Sequence, residues 1–200
     1  GSVTFGSAKD KWAINVDIMK KKGVTFKDVI DAYSDSGKVE DLVEKAPLAE
    51  GVLGMVVKHH PPPHVAQKYR IPKIWKGDLD SDTGKALLAC DDNGPTIMMC
   101  VNMTIDPAAG PVAIGRLFSG KIKDGQTINI IDTKREGRVQ SVNFFMSNVR
   151  EQVGELGAGN IPALLGLTDV RAGQTLSTVK DIPVFEASKY VSEPVVQMAI

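Results

Sequence analysis

Cysteine is nearly lacking in this 200-residue chain: Cys90 and Cys100 are the only two, with no CxxC spacing and no framework of pairs. That excludes a disulfide-stapled secreted scaffold and leaves reduced thiols in a cytosolic protein as the expectation. No apolar run approaches the roughly 20 residues needed to span a bilayer. The N-terminus lacks the charged, apolar and cleavage regions of a signal peptide in their proper order. A dominant charge is lacking too, because 24 Lys and Arg balance 24 Asp and Glu. No global field therefore draws nucleic acid, and any RNA contact must come from a local patch.

What is present suits a globular protein. A hydrophobic share of 42% with 24% charged residues is enough to build a core. The length fits one large domain or two small ones. Charge is spread unevenly along the chain. Residues 1–95 carry fourteen basic and fourteen acidic side chains, residues 96–180 nine against seven, and residues 181–200 one against three. Gly1-Ser2 has the look of an expression scar, and the chain stops inside the apolar run 195–200. Both ends read as the boundaries of a cut piece.

The first part reads as helical. Thr25 with Asp28 three residues on forms a capping box, with Gly37 as the stop. A second helix fits Val39–Lys45. A third fits Leu48–His59, where Leu48, Val52, Met55 and Val56 recur at helical spacing and Leu53 and Val57 widen the stripe. Those stripes invite self-association if nothing covers them. Pro61-Pro62-Pro63 ends that helix, and a short turn at His64–Arg70 is expected to close at Pro72. Residues 78–95 are rich in Asp, Gly, Asn and Ser and read as a linker.

Beyond Pro95 the period changes to alternation. Ile97, Met99, Val101, Met103 and Ile105 fall on one expected face, with Cys100, Asn102 and Thr104 on the other. Further strands are expected at Val112–Ile122, Gln126–Ile131, Arg138–Met146, Ile161–Leu165 and Gln174–Thr178. At least one of Phe144 and Phe145 should reach the core. Short strands separated by glycine turns within about 85 residues argue for a closed barrel or a sandwich.

Several motifs fail on inspection. Gly84-Lys85 is followed by Ala86, and Leu79 stands where a phosphate-binding loop needs its first glycine. Asp78, Asp80 and Asp82 imitate a calcium loop, but Thr83 replaces the sixth-position glycine and Ala89 the bidentate glutamate. His59, His60 and His64 have no further ligand at zinc spacing and suit a helix C-terminus. No catalytic residue and no metal ligand is assigned.

A family resemblance covers essentially the whole chain. Val3-Thr4-Phe5-Gly6-Ser7-Ala8 followed by Trp12 is similar to the last guanine-nucleotide motif of the elongation factor 2 family. His59 through Pro72, with Ile74-Trp75-Lys76-Gly77-Asp78, resembles that family's exit from the GTP-binding domain. Gly115-Arg116-Leu117-Phe118-Ser119-Gly120 with Gly125 resembles the barrel signature of translational GTPases. Ala158-Gly159-Asn160-Ile161, Gly166-Leu167 and Gly173-Gln174-Thr175 resemble its later half, and Ser192-Glu193-Pro194-Val195-Val196 the first strand of the third domain. Phe5-Gly6-Ser7-Ala8 with Lys11-Trp12 resembles the archaeal form.

The resemblance implies a mixed fold, in which the α-helical tail of an α/β GTP-binding domain precedes an antiparallel β-barrel of the translation-factor domain II type. The implied domains are 1–77 for the GTP-binding tail, 78–95 for a linker, 96–180 for the barrel, and 181–200 for a linker and the first strand of domain III. The implied parent is a cytoplasmic, ribosome-dependent GTPase that moves tRNA and mRNA in translation elongation. It would use GTP or GDP with magnesium, and Ser7 and Ala8 would contact guanine only in that parent. The phosphate-binding loop, the switch regions and the base-specifying motif are absent from the chain, so the piece alone is expected to be inactive.

In the resembling family the barrel packs on the GTP-binding domain and touches small-subunit ribosomal RNA. The basic residues at barrel ends are Lys121, Lys123, Lys134, Arg135 and Arg138, with the last three expected around one hairpin turn. Such residues neutralise phosphates and read backbone shape rather than sequence. A solvated charged hairpin is the competing reading. Arg116, inside a strand, suits a structural role. Two other whole-chain readings are a free-standing β-barrel RNA-binding module with a helical appendage and an enzyme with an unrecognised site.

Overall fold

The computed structural model describes residues 3–34, 37–147 and 149–186. The chain divides into two compact units between Pro62 and Pro63. The sequence-expected strand at 192–196 lies outside the described residues.

In the first unit, β1 (Phe5–Ser7) and β2 (Trp12–Ile14) pair antiparallel, with Gly6 opposite Ala13. Four helices follow: α1 (Val16–Lys22), α2 (Phe26–Ala32), α3 (Val39–Lys45) and α4 (Leu48–His59). Asn15 starts α1 by accepting the Ile18 amide at 2.9 Å, and Gly23 ends it in the left-handed region at φ 68°. The capping box of Thr25 and Asp28 is formed on α2. Trp12, Ile14, Ile18, Val24, Leu42 and Ala46 build the core.

Helix α4 does not bury the stripe that its spacing suggests. It approaches β2 through Gly51, where an added Cβ would lie 2.7 Å from the Ala13 methyl. Val52, Leu53, Val56 and Val57 stay exposed, Val57 at 84%.

The second unit opens with α5 (Pro63–Ile74), which runs through Pro72 instead of stopping there. Pro72 stands in the last turn, so it forfeits one amide bond, while Ile71 and Trp75 on either side are buried. The loop-like composition of 78–95 contains a helix, α6 (Asp82–Ala89). Ser81 caps it by accepting the Gly84 amide at 3.0 Å, and Cys90 ends it at φ 57°.

Ten strands follow: β3 (Ile97–Asp106), β4 (Gly110–Ser119), β5 (Lys121–Lys123), β6 (Thr127–Ile130), β7 (Arg135–Arg138), β8 (Ser141–Met146), β9 (Val149–Gln152), β10 (Glu155–Gly157), β11 (Ala163–Leu165) and β12 (Thr175–Ser177). Eight form one antiparallel sheet in the order β7-β6-β12-β3-β4-β11-β8-β9, and β5 pairs with β10. The barrel closes because the run from β7 into β8 reaches from one end of that order to the neighbour of its other end. Residues 135–138 pair with β6, and 141–143 pair with β11. The Val139 amide donates to Gln126 and the Gln140 amide to Leu165, each at 2.9 Å, which carries the ladder across the join.

The interior is packed by Met98, Cys100, Leu117, Ile122, Ile128, Val142, Leu164 and Leu176, among others. Strand β3 splits the expected face: at its start Met98 and Cys100 point into the barrel. A register shift between Cys100 and Asn102 then turns Met103 inward. Ile97 and Met99 face outward but are covered, because they pack with Ile71, Trp75, Leu87 and Phe118. Both faces of the strand start are therefore apolar, and simple alternation could not assign them.

Candidate functional site

Strand β5 puts Lys121 and Lys123 on one face, two residues apart, with Ile122 buried between them. The register with β10 places Glu155 opposite Lys123. Both ammonium groups converge on that single carboxylate, Lys121 Nζ at 3.5 Å and Lys123 Nζ at 2.8 Å. The hydrogen bond from Lys123 holds the Glu155 carboxyl below its ordinary value, and the charges of Lys123 and Lys121 add to this.

The other three candidates do not form one cluster. Lys134 and Arg135 stand at the β6–β7 turn, Lys134 in the left-handed region at φ 56°. Arg135 lies 3.4 Å from Asp169 across exposed surface. Arg138 is at the far end of β7, opposite Thr127, about 10 Å along the strand from that turn. There it adjoins the turn at Gly125, whose amide donates to Val139 at 2.8 Å. The turn residue Gln126 accepts the Lys123 amide at 2.8 Å. Arg138 thus shares an end of the barrel with Lys121 and Lys123. Glu136 and Lys180, paired at 2.7 Å, lie beside the opposite group.

Ser7 and Ala8 lie at the end of β1. The Ser7 hydroxyl donates to Asp10 at 2.8 Å and accepts the Asp10 amide at 3.1 Å, closing a local turn, while Ala8 is exposed. Tyr33 also donates to Asp10, and this bond, followed by that from Ser7, holds the carboxyl below its ordinary value.

Arg116 is half-buried on β4, and burial lowers its guanidinium pKa, with Arg70 nearby adding to the effect. It lines a groove of about 540 Å³ with Ile114, Phe144, Phe145, Leu156 and Ile161. Neither Phe144 nor Phe145 joins the barrel core: both stand beyond the part of β8 that pairs with β11, where β8 pairs with β9 alone.

The failed motifs resolve into local structure. Asp78 accepts the Asp80 amide at 2.9 Å and leads into the cap of α6. Among the described residues, no group of three or more His, Cys, Asp or Glu could hold a metal ion. Among the same residues no helix is long and apolar enough to cross a membrane.

Glu155 was missed by sequence reasoning. Its partners lie 32 and 34 positions away, and nothing local marks it. Only the pairing of β5 with β10 brings them together.

Comparison with known proteins bears on the barrel and on the whole chain. Residues 110–177 match the family model described as Elongation factor Tu domain 2. Elongation factor 2 of Cenarchaeum symbiosum is 80% identical over 199 residues, covering 100% of this chain and 27% of that relative. Elongation factor 2 of Sulfurisphaera tokodaii is 50% identical over 206 residues, and that of Thermococcus kodakarensis 50% over 200. The resemblance to elongation factor 2, archaeal in its relatives, therefore runs the full length of the chain. The chain spans 27 to 28% of the length of these relatives.

Proposed function

We infer that this chain belongs to the elongation factor 2 family and works as a segment of a ribosome-dependent translocation GTPase. The observation that carries the reading is the 80% identity to an elongation factor 2 over 199 residues. In the parent, GTP or GDP with magnesium would occupy a site whose phosphate-binding parts lie outside this sequence. The exposed turn at Ser7 and Ala8 would supply backbone contact to guanine. A backbone N–H there reads an acceptor that adenine lacks.

Residues 1–77 are read as the tail of the GTP-binding domain, 78–95 as its exit, 96–180 as domain II, and 181–200 as the passage into domain III. The helix within 78–95 makes that exit a packed element rather than a bare tether. The setting is the cytoplasm.

The barrel serves as a docking body for small-subunit ribosomal RNA. Lys121, Lys123 and Arg138 would meet phosphates at one end, and Lys134 and Arg135 at the other. Two basic groups at opposite ends of β7 suit two stretches of RNA backbone, read by shape. Hydrolysis needs cradled phosphates, a metal and an oriented water, so the chain alone neither binds nor turns over GTP.

Competition on isolated small ribosomal subunits tests the reading. The chain should bind them and be displaced by whole elongation factor 2. Binding that whole elongation factor 2 leaves undisturbed contradicts it. So does micromolar affinity of the isolated chain for GTP in isothermal titration.

A further inference from the structure

We propose that Glu155 is a built-in competitor of RNA phosphate: it holds Lys121 and Lys123 together as a pair and sets the ionic strength at which this end of the barrel releases RNA. The proposal rests on the docking reading above. It starts from a stoichiometry in the structure. One carboxylate sits within ion-pair distance of two ammonium groups, at 3.5 and 2.8 Å. All three side chains are substantially solvent-exposed, so a phosphate can reach them.

The geometry is fixed by backbone rather than by the side chains. Lys121 and Lys123 stand on the same face of β5 because strand side chains repeat every second residue. The buried Ile122 pins that strand, and the register puts Glu155 across from Lys123. The turns at both ends are tied down as well. The Asp124 amide donates to Gly154 at 2.9 Å, and the Ala158 amide donates to Asp92 at 2.7 Å. The three charges therefore meet without any loop ordering.

Two lysines on one carboxylate leave a net charge of +1 at a site that would otherwise carry +2. A phosphodiester approaching the pair must share or displace the carboxylate. The counterions that free lysines would collect, and release on binding RNA, are already partly replaced by Glu155. Counterion release drives phosphate binding and fixes its salt slope. An internal carboxylate therefore lowers both affinity and slope, which suits a surface that must release RNA.

The test measures binding of the full 200-residue chain to a fluorescent RNA hairpin between about 50 and 200 mM salt. The variants are Glu155→Gln, the double Lys121→Ala/Lys123→Ala, and all three changes together. Glu155→Gln is expected to tighten binding about three- to tenfold at the low-salt end and to steepen the log–log salt slope by about one. In the triple variant that gain should vanish, because the lysines through which Glu155 acts are gone.

If Glu155→Gln leaves affinity and slope unchanged while the double lysine variant weakens binding, the proposal is overturned and the docking reading stands. If the double lysine variant binds as well as the parent chain, the proposal falls together with the docking role of these two lysines. If the gain persists in the triple variant, Glu155 acts by general charge and the pairing role is overturned. Matched melting temperatures confirm that each variant is folded.

Discussion

The Met99 carbonyl oxygen lies where a side chain at Gly115 would begin. A Cβ built on Gly115 falls inside 3.0 Å of that oxygen and of the Met98 terminal methyl, closer than real Cβ atoms approach their neighbours. The glycine therefore belongs to the signature Gly115–Gly120 for a packing reason: β3 and β4 approach too closely for any side chain there.

Gly115→Ala should destabilise the barrel by about 1–3 kcal/mol, read as a lowered urea midpoint. Gly54→Ala is the contrasting case. That glycine lies in α4 with nothing within 4 Å of its added Cβ. The change should stabilise the first unit by about 0.5–1 kcal/mol.

Gln67 ties α5 to its neighbours. Its Nε2 donates to the carbonyls of Leu87 at 2.5 Å and Phe118 at 2.9 Å, and the side chain is buried. Gln67→Leu keeps the volume but strands two buried carbonyls. A loss of about 2 kcal/mol or more is expected in chemical denaturation of the second unit.

The two thiols should react in a fixed order. Burial pushes the Cys100 thiol up to about 11 and raises that of half-buried Cys90 less. At neutral pH an alkylating reagent should label Cys90 first. Cys100 should follow only as the barrel unfolds, which peptide mass spectrometry over a denaturant series can read.

Asp106 predicts the acid side of stability. The amides of Ala108 and Ala109, followed by the Arg150 charge, hold its carboxyl below the ordinary value of 3.8. Its folded pKa is depressed, so its contribution is present above 3.8 and is lost as pH falls through the folded value. Asp106→Asn should flatten the acid limb of a stability–pH curve and leave its slope near neutrality unchanged.

Much of the fold was legible because its local rules are strong. The helix start at Thr25 follows from its capping box, and Val39–Lys45 and Leu48–His59 from apolar spacing, since neither has a side-chain cap. Helix α6 was also legible, from the Ser81 cap and the helix formers Lys85–Ala89, but the Asp, Gly and Asn around this short element masked it. Two features needed tertiary knowledge. The faces of β3 depend on a register shift that no residue type announces. The α4 stripe follows helical spacing, yet Leu53 is 62% exposed, so periodicity located the face without saying what covers it. Of the basic residues, all five were visible in sequence. Their division into two groups, and the carboxylate between Lys121 and Lys123, depend on strand pairing between distant segments.

The docking claim is tested most directly by the salt dependence of binding to isolated small ribosomal subunits. The parent chain is compared with a variant in which Lys121, Lys123, Lys134, Arg135 and Arg138 are all alanine. A slope reduced by several units, at roughly 0.7 to 0.9 for each phosphate no longer neutralised, is the predicted result. An unchanged slope with unchanged affinity would place the RNA-binding surface elsewhere and contradict the account.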